Sequence, residues 1–555
     1  MDKKGKKQAY FGYALLAMVA AVLTWRCFYG FCWSDESFYL TFAQRMWNGQ
    51  QLIVDEWHPV QFYSAVLYPV YSLYHMIFGT TGIYLFARIF YTFLAFGCSL
   101  LVFYTFSREH ALLPAWLCAV SVLLYSRGNI WGASYYNLFL LLTVAAFCLA
   151  LLGRQRTWLL LPCGLCLGFS VLCVPYFAPF VIAALAAGTV SGKHRKMTGC
   201  IFAGICLAAG YFLVCFLPRD LGAVLSSLGK ILSDPEHETG PVSNLILAIR
   251  DVKLLYYYEA CLVLLSTGLV LIGGKLPQKW GQIPGLLIAL GGALVSFLRY
   301  RNAETGFAAY TFVLFCLPLL ASRWLYRKMD RMALALRILG VAMGLSMALS
   351  SNTEAIGFTV GLAVYAMGVM LQLIRPEEQP LRRLTAVVLA SIMLLTTFSG
   401  RVTQVFRDGA LSDLKVTMTQ GPAAGIRTTR EHAQQYGEIL SMLDDLQTHC
   451  REESSIFFTK LLPWGYLACD YPCAAPTAWR TALDSPRLEA YYQEHSLPEI
   501  VVILSPEVGN YPYEPTPNEN TLSGWLWENM CQAEYSCLEY PCATVYLAPG
   551  AAQQK

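Results

Sequence analysis

Two acidic pairs stand near the start of the chain. One is Asp35-Glu36, within Trp33-Ser34-Asp35-Glu36-Ser37-Phe38-Tyr39, and the other is Asp55-Glu56, ahead of Trp57-His58-Pro59. A carboxylate can take the proton of a hydroxyl nucleophile, and one set among Phe31, Trp33, Phe38 and Tyr39 is poorly solvated, which favours that role. Asp35 is the candidate general base. Glu36 divides between contacting a substrate or metal and capping the helix expected to follow it. Glu56 and His58 are usual ligand types for a divalent metal, with no third ligand close in sequence. A charged leaving group also needs cations. Arg88, Arg299 and Arg301 are candidates to bind a phosphate or other substrate group, with Arg127 and Lys253 as further cations, and Tyr39 and His58 complete the substrate-binding set. Each residue also has an ordinary structural reading: acids are common where a membrane span ends, and arginines there often meet lipid headgroups. Tyr135, Tyr136 and Asn137 read as packing at a span's end.

The elements that must position these residues are hydrophobic. Of 555 residues, 56% are hydrophobic and 14% charged, and the mean hydropathy is +0.46. That composition excludes a soluble globular protein of this length and predicts a polytopic membrane protein. With ~20 apolar residues needed per crossing, about thirteen spans are legible, several of them short. They run over 10–28, 83–106, 111–125, 133–152, 158–175, 177–190, 197–217, 254–273, 283–297, 307–320, 332–350, 356–374 and 384–400. Pro175 and Pro179 leave almost no loop between the fifth and sixth, so a re-entrant hairpin is the alternative there.

Lys3, Lys4, Lys6 and Lys7 precede the first span. Alternate loops carry Arg154/Arg156, Lys193/Arg195/Lys196, Lys275/Lys279, Arg323/Arg327/Lys328/Arg331 and Arg375/Arg382/Arg383. The positive-inside rule then places the amino terminus in the cytoplasm and everything after Gly400 outside a plasma membrane. The net charge of +4 is a topology signal, and no basic run resembles a nucleic-acid patch. The first span follows a basic stretch but lacks a small-residue cleavage site, so it reads as a retained anchor.

Residues 1–400 thus form a transmembrane helical bundle. Its long first loop, 30–82, has helical apolar spacing over 39–47 and 63–78, as in helices lying at a membrane interface. A second segment, 218–253, carries the polar turn Ser233-Asp234-Pro235-Glu236-His237-Glu238 and reads as a flap, and short turns hold 299–304 and 351–354. Residues 401–555 have soluble composition, with helices expected over 428–446, 486–494 and 522–530 and strands over 455–459, 500–504 and 543–547, a small α/β domain. Cys450, Cys469, Cys473, Cys531, Cys537 and Cys542 form an even set there that an oxidising compartment would allow to pair.

The order of parts resembles the glycosyltransferase-C superfamily, in particular the protein O-mannosyltransferases and the bacterial aminoarabinose transferase-like enzymes. The likeness rests on Asp35-Glu36-x-x-Tyr39, Ala43, Met46, Gly49, Glu56-Trp57-His58-Pro59, the aromatic run to Phe78-Gly79, and Arg88. It is strong over roughly residues 10–110 and architectural beyond. Relatives often carry another acid between the third and fourth spans, where this chain has Arg127-Gly128-Asn129-Ile130-Trp131. The resemblance implies a mainly helical membrane glycosyltransferase that moves a sugar from a polyprenyl-phosphate donor to an acceptor in the cell envelope, through an oxocarbenium-like state. A lipid-linked donor also accounts for the lack of a nucleotide motif. The alternatives are a lipid or polysaccharide transporter or flippase, against which no internal repeat is evident, and a non-catalytic envelope protein that keeps the scaffold.

Overall fold

A computed structural model of the chain describes all residues except 1–2, 191–193, 219, 233–239, 276–280, 302–305, 325–329, 351–352, 460, 480–484, 506–507, 509–523 and 554–555. The polar turn at 233–238, residues 302–304 and 351–352 of the short turns, and the cations Lys193, Lys279, Arg327 and Lys328 lie outside the described residues.

Every hydrophobic segment forms a helix, because a backbone in an apolar setting satisfies its own hydrogen bonds most completely that way. In chain order the helices are α1 (Lys3–Arg26), α2 (Asp35–Trp47), α3 (Ser64–Phe78), α4 (Ile83–Phe106), α5 (Leu112–Leu124), α6 (Tyr135–Gly153) and α7 (Leu160–Cys173). Then come α8 (Ala178–Val190), α9 (Arg195–Cys215), α10 (Leu221–Leu232), α11 (Pro241–Leu255), α12 (Tyr257–Gly273) and α13 (Ile283–Arg299). Next are α14 (Phe307–Trp324), α15 (Arg331–Ser350), α16 (Thr359–Leu373) and α17 (Pro380–Thr403). Among the described residues seven helices are long and apolar enough to cross a membrane: α1, α4, α6, α9, α15, α16 with the 3₁₀ turn before it, and α17. The α11–α12 pair, bent by 70°, counts as an eighth if it is one span, while α5, α7, α8, α13 and α14 are apolar but shorter.

Small residues bring the bundle helices close, the packing mode that works where lipid is as apolar as the side chains. A Cβ on Gly361 would lie 2.2 Å from the Gly340 carbonyl oxygen between α16 and α15, and one on Gly204 would lie 2.2 Å from the Leu161 oxygen between α9 and α7.

The first loop is not a pair of free interfacial helices. Glu36 to Arg45 of α2 are all buried, whereas α3 exposes Leu73, Met76, Ile77 and Phe78. Covering α2 is the carboxy-terminal domain. It holds a short pair β1 (Val416–Thr417) and β2 (Arg427–Thr428), then α18 (Arg430–His449), β3 (Ile456–Phe458), α19 (Ser485–Tyr492), β4 (Ile500–Leu504), α20 (Gly524–Gln532), β5 (Ser536–Tyr540) and β6 (Ala543–Leu547). The sheet order is β3-β4-β6-β5, with β3 parallel to β4 and the other pairs antiparallel. Strands β4 and β6 occupy the expected ranges, and β5 is an addition. Its mostly exposed residues lack the alternating apolar pattern by which strands are recognised. All six cysteines of the domain are free thiols, Cys450, Cys469, Cys473 and Cys542 buried and Cys531 and Cys537 exposed.

Loop and domain are joined by polar contacts as well as by apolar area. Arg45, fully enclosed, pairs with Glu56 at 2.9 Å and donates to the Ala475 carbonyl at 3.0 Å and to that of Asp55. Trp57 N–H donates to the Pro476 oxygen at 2.7 Å, and Arg487 donates to the Trp57 oxygen at 2.7 Å. Asp55 meets His495 at 3.2 Å, and Phe38 packs on Trp479 with centroids 4.6 Å apart. Helix α10 adds Lys230, which pairs with Glu494 and lies over the Trp57 ring at 4.7 Å.

Two outcomes test this junction. Glu56→Gln leaves the buried Arg45 without its counter-charge, so it should cost ~3–5 kcal/mol of stability, read as a lowered unfolding midpoint; an unchanged midpoint would contradict the clamp. Burial alone would raise the Asp55 carboxyl, but hydrogen bonds from His495 and the Gln51 N–H and the charge of Arg45 hold it below the usual carboxylate value. A depressed carboxyl stabilises the fold above its unfolded-state value, and that stability is lost as pH falls through the folded value. Acid should therefore destabilise wild-type protein more than Asp55→Asn, as measured by unfolding across the acid limb.

Candidate functional site

The site begins where α1 ends. Arg26, at the last turn, donates from Nε to the Val402 carbonyl at 2.9 Å, from Nη1 to Tyr29 at 2.5 Å and from Nη2 to Gln404 at 2.8 Å. The connecting chain turns at Gly30, whose φ of +87° and close approach to Val405, 2.5 Å from an ideal Cβ, leave no room for a side chain. Ser34 occupies the cap position of α2 without a side-chain capping bond, so Glu36 does not act as the cap. Asp35 and Glu36 both lie in the first turn, where the helix dipole favours negative charge. Successive residues of a helix point about 100° apart, so the two carboxylates face different partners.

Glu36 turns into the bundle. Its Oε2 accepts from Arg88 Nε at 3.0 Å and Nη2 at 2.5 Å, and its Oε1 accepts from the Trp131 N–H at 3.0 Å. Arg88 gives its remaining donors to the carbonyls of Cys27 (2.8 Å), Tyr29 (3.3 Å) and Gly30 (2.7 Å). All five guanidinium N–H groups are committed, which leaves none for a ligand. The cavity beside this pair, bounded by Tyr39, Tyr84, Ala87, Trp131 and Ala133, measures about 10 Å³, scarcely room for one water.

Asp35 faces the carboxy-terminal domain. Its Oδ2 pairs with Arg407 at 2.8 Å and accepts from the Ser34 hydroxyl at 2.9 Å, and Arg407 also donates to Ser34 Oγ at 2.7 Å. Oδ1 has no partner among the described residues, and the side chain is partly exposed. Arg407 adopts a left-handed φ of +52°, a conformation uncommon outside glycine. Its neighbour Asp408 is enclosed and accepts from Phe31 N–H (2.6 Å), Thr428 Oγ1 (2.8 Å), Gly409 N–H (2.8 Å) and His432 Nδ1 (2.7 Å). His432 packs edge-on against Trp33 at 5.8 Å.

Aromatic residues close the other side. Tyr39 lies 6.0 Å from Tyr135, which stacks on Tyr136 at 3.7 Å. The Arg127 guanidinium sits over Tyr136 at 3.6 Å and donates to no acceptor among the described residues. Burial, with Tyr135 and Asp35 beside it, pushes the Tyr39 phenol well above its usual value against the pull of Arg127. The loop that carries Arg127 is locked by Asn129, φ +56°, whose side chain accepts from Arg401 at 2.5 Å and donates to the Gln404 carbonyl at 2.6 Å. Arg401 in turn covers the Trp131 ring at 3.7 Å.

The sequence candidates therefore fall into three places. Asp35 and Arg127 flank the buried Tyr39, both close enough to act on its phenol, while Glu36 and Arg88 form an internal pair. Glu56 and His58 lie in the junction with the domain: Glu56 Oε1 accepts from the His58 N–H at 3.0 Å, and the His58 ring packs on Phe38 at 4.9 Å. Among the described residues no three His, Cys, Asp or Glu side chains are grouped as a metal would need. Arg299 pairs with Glu259 at 3.3 Å, and exposed Arg301 contributes its carbonyl to the Gln404 side chain at 2.7 Å. Sequence reading missed Arg407, Asp408 and His432. One signal was present: Arg407-Asp408 follows the last hydrophobic segment much as Asp35-Glu36 follows the first.

The bundle also carries apolar grooves. One of about 630 Å³ is lined by Leu264, Leu317, Ile338, Val341 and Tyr365, with Arg337 on its wall. A second of about 310 Å³ shares Val341 and Tyr365 and reaches Tyr310.

The two adjacent acids should respond differently to neutralisation. Glu36→Gln breaks a buried pair and should lower stability by ~3–5 kcal/mol, whereas Asp35→Asn removes a partly exposed pair worth about 0–1 kcal/mol. Equal losses in thermal unfolding would sink this division of roles.

No family model matches the chain, and no curated protein matches it in sequence.

Proposed function

We propose that the chain is a membrane glycosyltransferase, moving a sugar from a polyprenyl-phosphate donor to a hydroxyl acceptor on the outer face. The observation that supports the reading is that Asp35, with Oδ1 unpaired among the described residues, and the Arg127 guanidinium both lie close enough to act on the buried Tyr39 phenol between them. Asp35 engages the acceptor hydroxyl, and Arg127 takes the phosphate that Arg88 has no donors left to bind. Tyr39, Tyr135 and Tyr136 are buried and brace this region from within. The grooves along α15 and α16 suit an isoprenoid tail, since they are apolar and of the size of small-molecule sites. A missing second carboxylate is consistent with this chemistry, because phosphate leaves without being protonated and needs positive charge more than an acid. The carboxy-terminal domain, which supplies Arg407, belongs to the catalytic unit in this reading.

The test is transfer by purified protein in lipid nanodiscs from a radiolabelled polyprenyl-phosphate sugar. Asp35→Asn should abolish transfer while the donor still binds. Arg127→Gln should weaken donor binding by roughly 10- to 150-fold, the worth of about 1.5–3 kcal/mol for a hydrogen bond to a charged group. Movement of the lipid across vesicles without transfer would replace the enzyme reading with a flippase.

A further inference from the structure

Arg407 and Asp408 are consecutive yet serve two different partners. The left-handed φ of Arg407 sends its guanidinium to Asp35, while Asp408 turns inward and holds His432 by Nδ1. Asp408 is fully enclosed, with two acceptor bonds on each oxygen. That arrangement fixes the imidazole so that Nδ1 donates, and the carboxylate lies where it can stabilise an imidazolium. The other ring nitrogen, Nε2, has no partner among the described residues, and the ring is partly exposed beside Trp33, two residues from Asp35. Asp35 is differently placed: Arg407 already balances its charge and Ser34 occupies the same oxygen.

We propose that His432, oriented by Asp408, is the proton acceptor of the site, and that Asp35 aims the acceptor hydroxyl. The assignment rests on the glycosyltransferase reading and sharpens it. In the step, the acceptor O–H bond breaks and its proton goes to His432 Nε2. The acceptor oxygen bonds to the anomeric carbon as the bond from that carbon to the phosphate oxygen breaks, and the electron pair leaves on polyprenyl phosphate. The imidazolium, paired with Asp408, then returns its proton to solvent. Asp408 is a positioning residue.

Diethylpyrocarbonate, which acylates accessible imidazole nitrogens, tests the inference on the wild-type protein, with the modified histidine identified by peptide mass. Polyprenyl phosphate without sugar should slow modification of His432, and full modification should stop transfer. Modification that the lipid phosphate does not slow would overturn the placement, and transfer at full rate by protein acylated at His432 would overturn the role. His432→Ala should lower kcat by about 10²- to 10⁴-fold with little change in KM. Imidazole in the buffer should restore part of that loss but none of the loss in Asp35→Asn. A His432→Ala enzyme with wild-type kcat would also overturn the assignment. Wild-type protein that shows shielding without transfer refutes the glycosyltransferase reading instead, and with it the base role.

Discussion

Burying arginine is costly unless its charge and donors are met, and Arg88 meets that requirement in full. Arg88, the sixth residue of α4, stands in an apolar helix where an unpaired guanidinium would cost roughly 2.5–3.5 kcal/mol even on the milder scales. Its solution is local and complete: one carboxylate from α2 and three carbonyls from the segment that leaves α1. Meeting those donors fixes the exit path of α1, the angle of α2 and, through the Trp131 N–H on Glu36, the loop before α6. Arg26 extends the same logic, and Arg401 follows it in part. They draw on the carbonyls of Val402 and Gln404 and on Asn129, so the end of α17 is tied to the start of the chain. The surface that carries Asp35 exists because these cations had to be satisfied beneath it.

That hierarchy explains what was legible from sequence. Hydropathy located the helices because a long apolar run leaves the backbone few other choices. It overstated how many are full-length spans, since α5, α7 and α13 are as apolar as longer helices, and composition does not report where a helix stops. In the soluble domain β4 was visible as a continuous apolar run, Ile500–Leu504, whereas the edge strand β5 is known only through its register with β6, Ser536 opposite Leu547 to Tyr540 opposite Ala543. The functional surface was half legible. Asp35 and Tyr39 lie in one local motif, but Arg407, which pairs with Asp35, and His432, which packs on Trp33, are almost four hundred positions away.

Electrostatics also accounts for the parting of two neighbouring acids. Glu36 sits where an arginine has no alternative counter-charge, so its stabilising role leaves it closed to a ligand. Asp35, one residue earlier, meets an arginine from the carboxy-terminal domain and keeps one oxygen open among the described residues. A loop that bears Arg127 in place of an acid suits this balance. A second carboxylate beside Asp35 would repel it, whereas the guanidinium resting on Tyr136 carries the opposite charge.

The carboxy-terminal domain follows from the same constraint. A left-handed, non-glycine Arg407 costs of order 1 kcal/mol or more and persists only when its surroundings over-determine it. Here they do: on one side the residue answers Asp35, and on the other its neighbour Asp408 gathers Phe31, Thr428 and His432. Those contacts come from the α1–α2 connection, β2 and α18, so the turn cannot relax without separating the domain from the bundle. A domain that served only as an appendage would need none of this, since Arg45, Trp57 and Phe38 already hold it down from the far side of the loop. The strained turn lies instead beside Asp35, whose Oδ1 has no partner among the described residues.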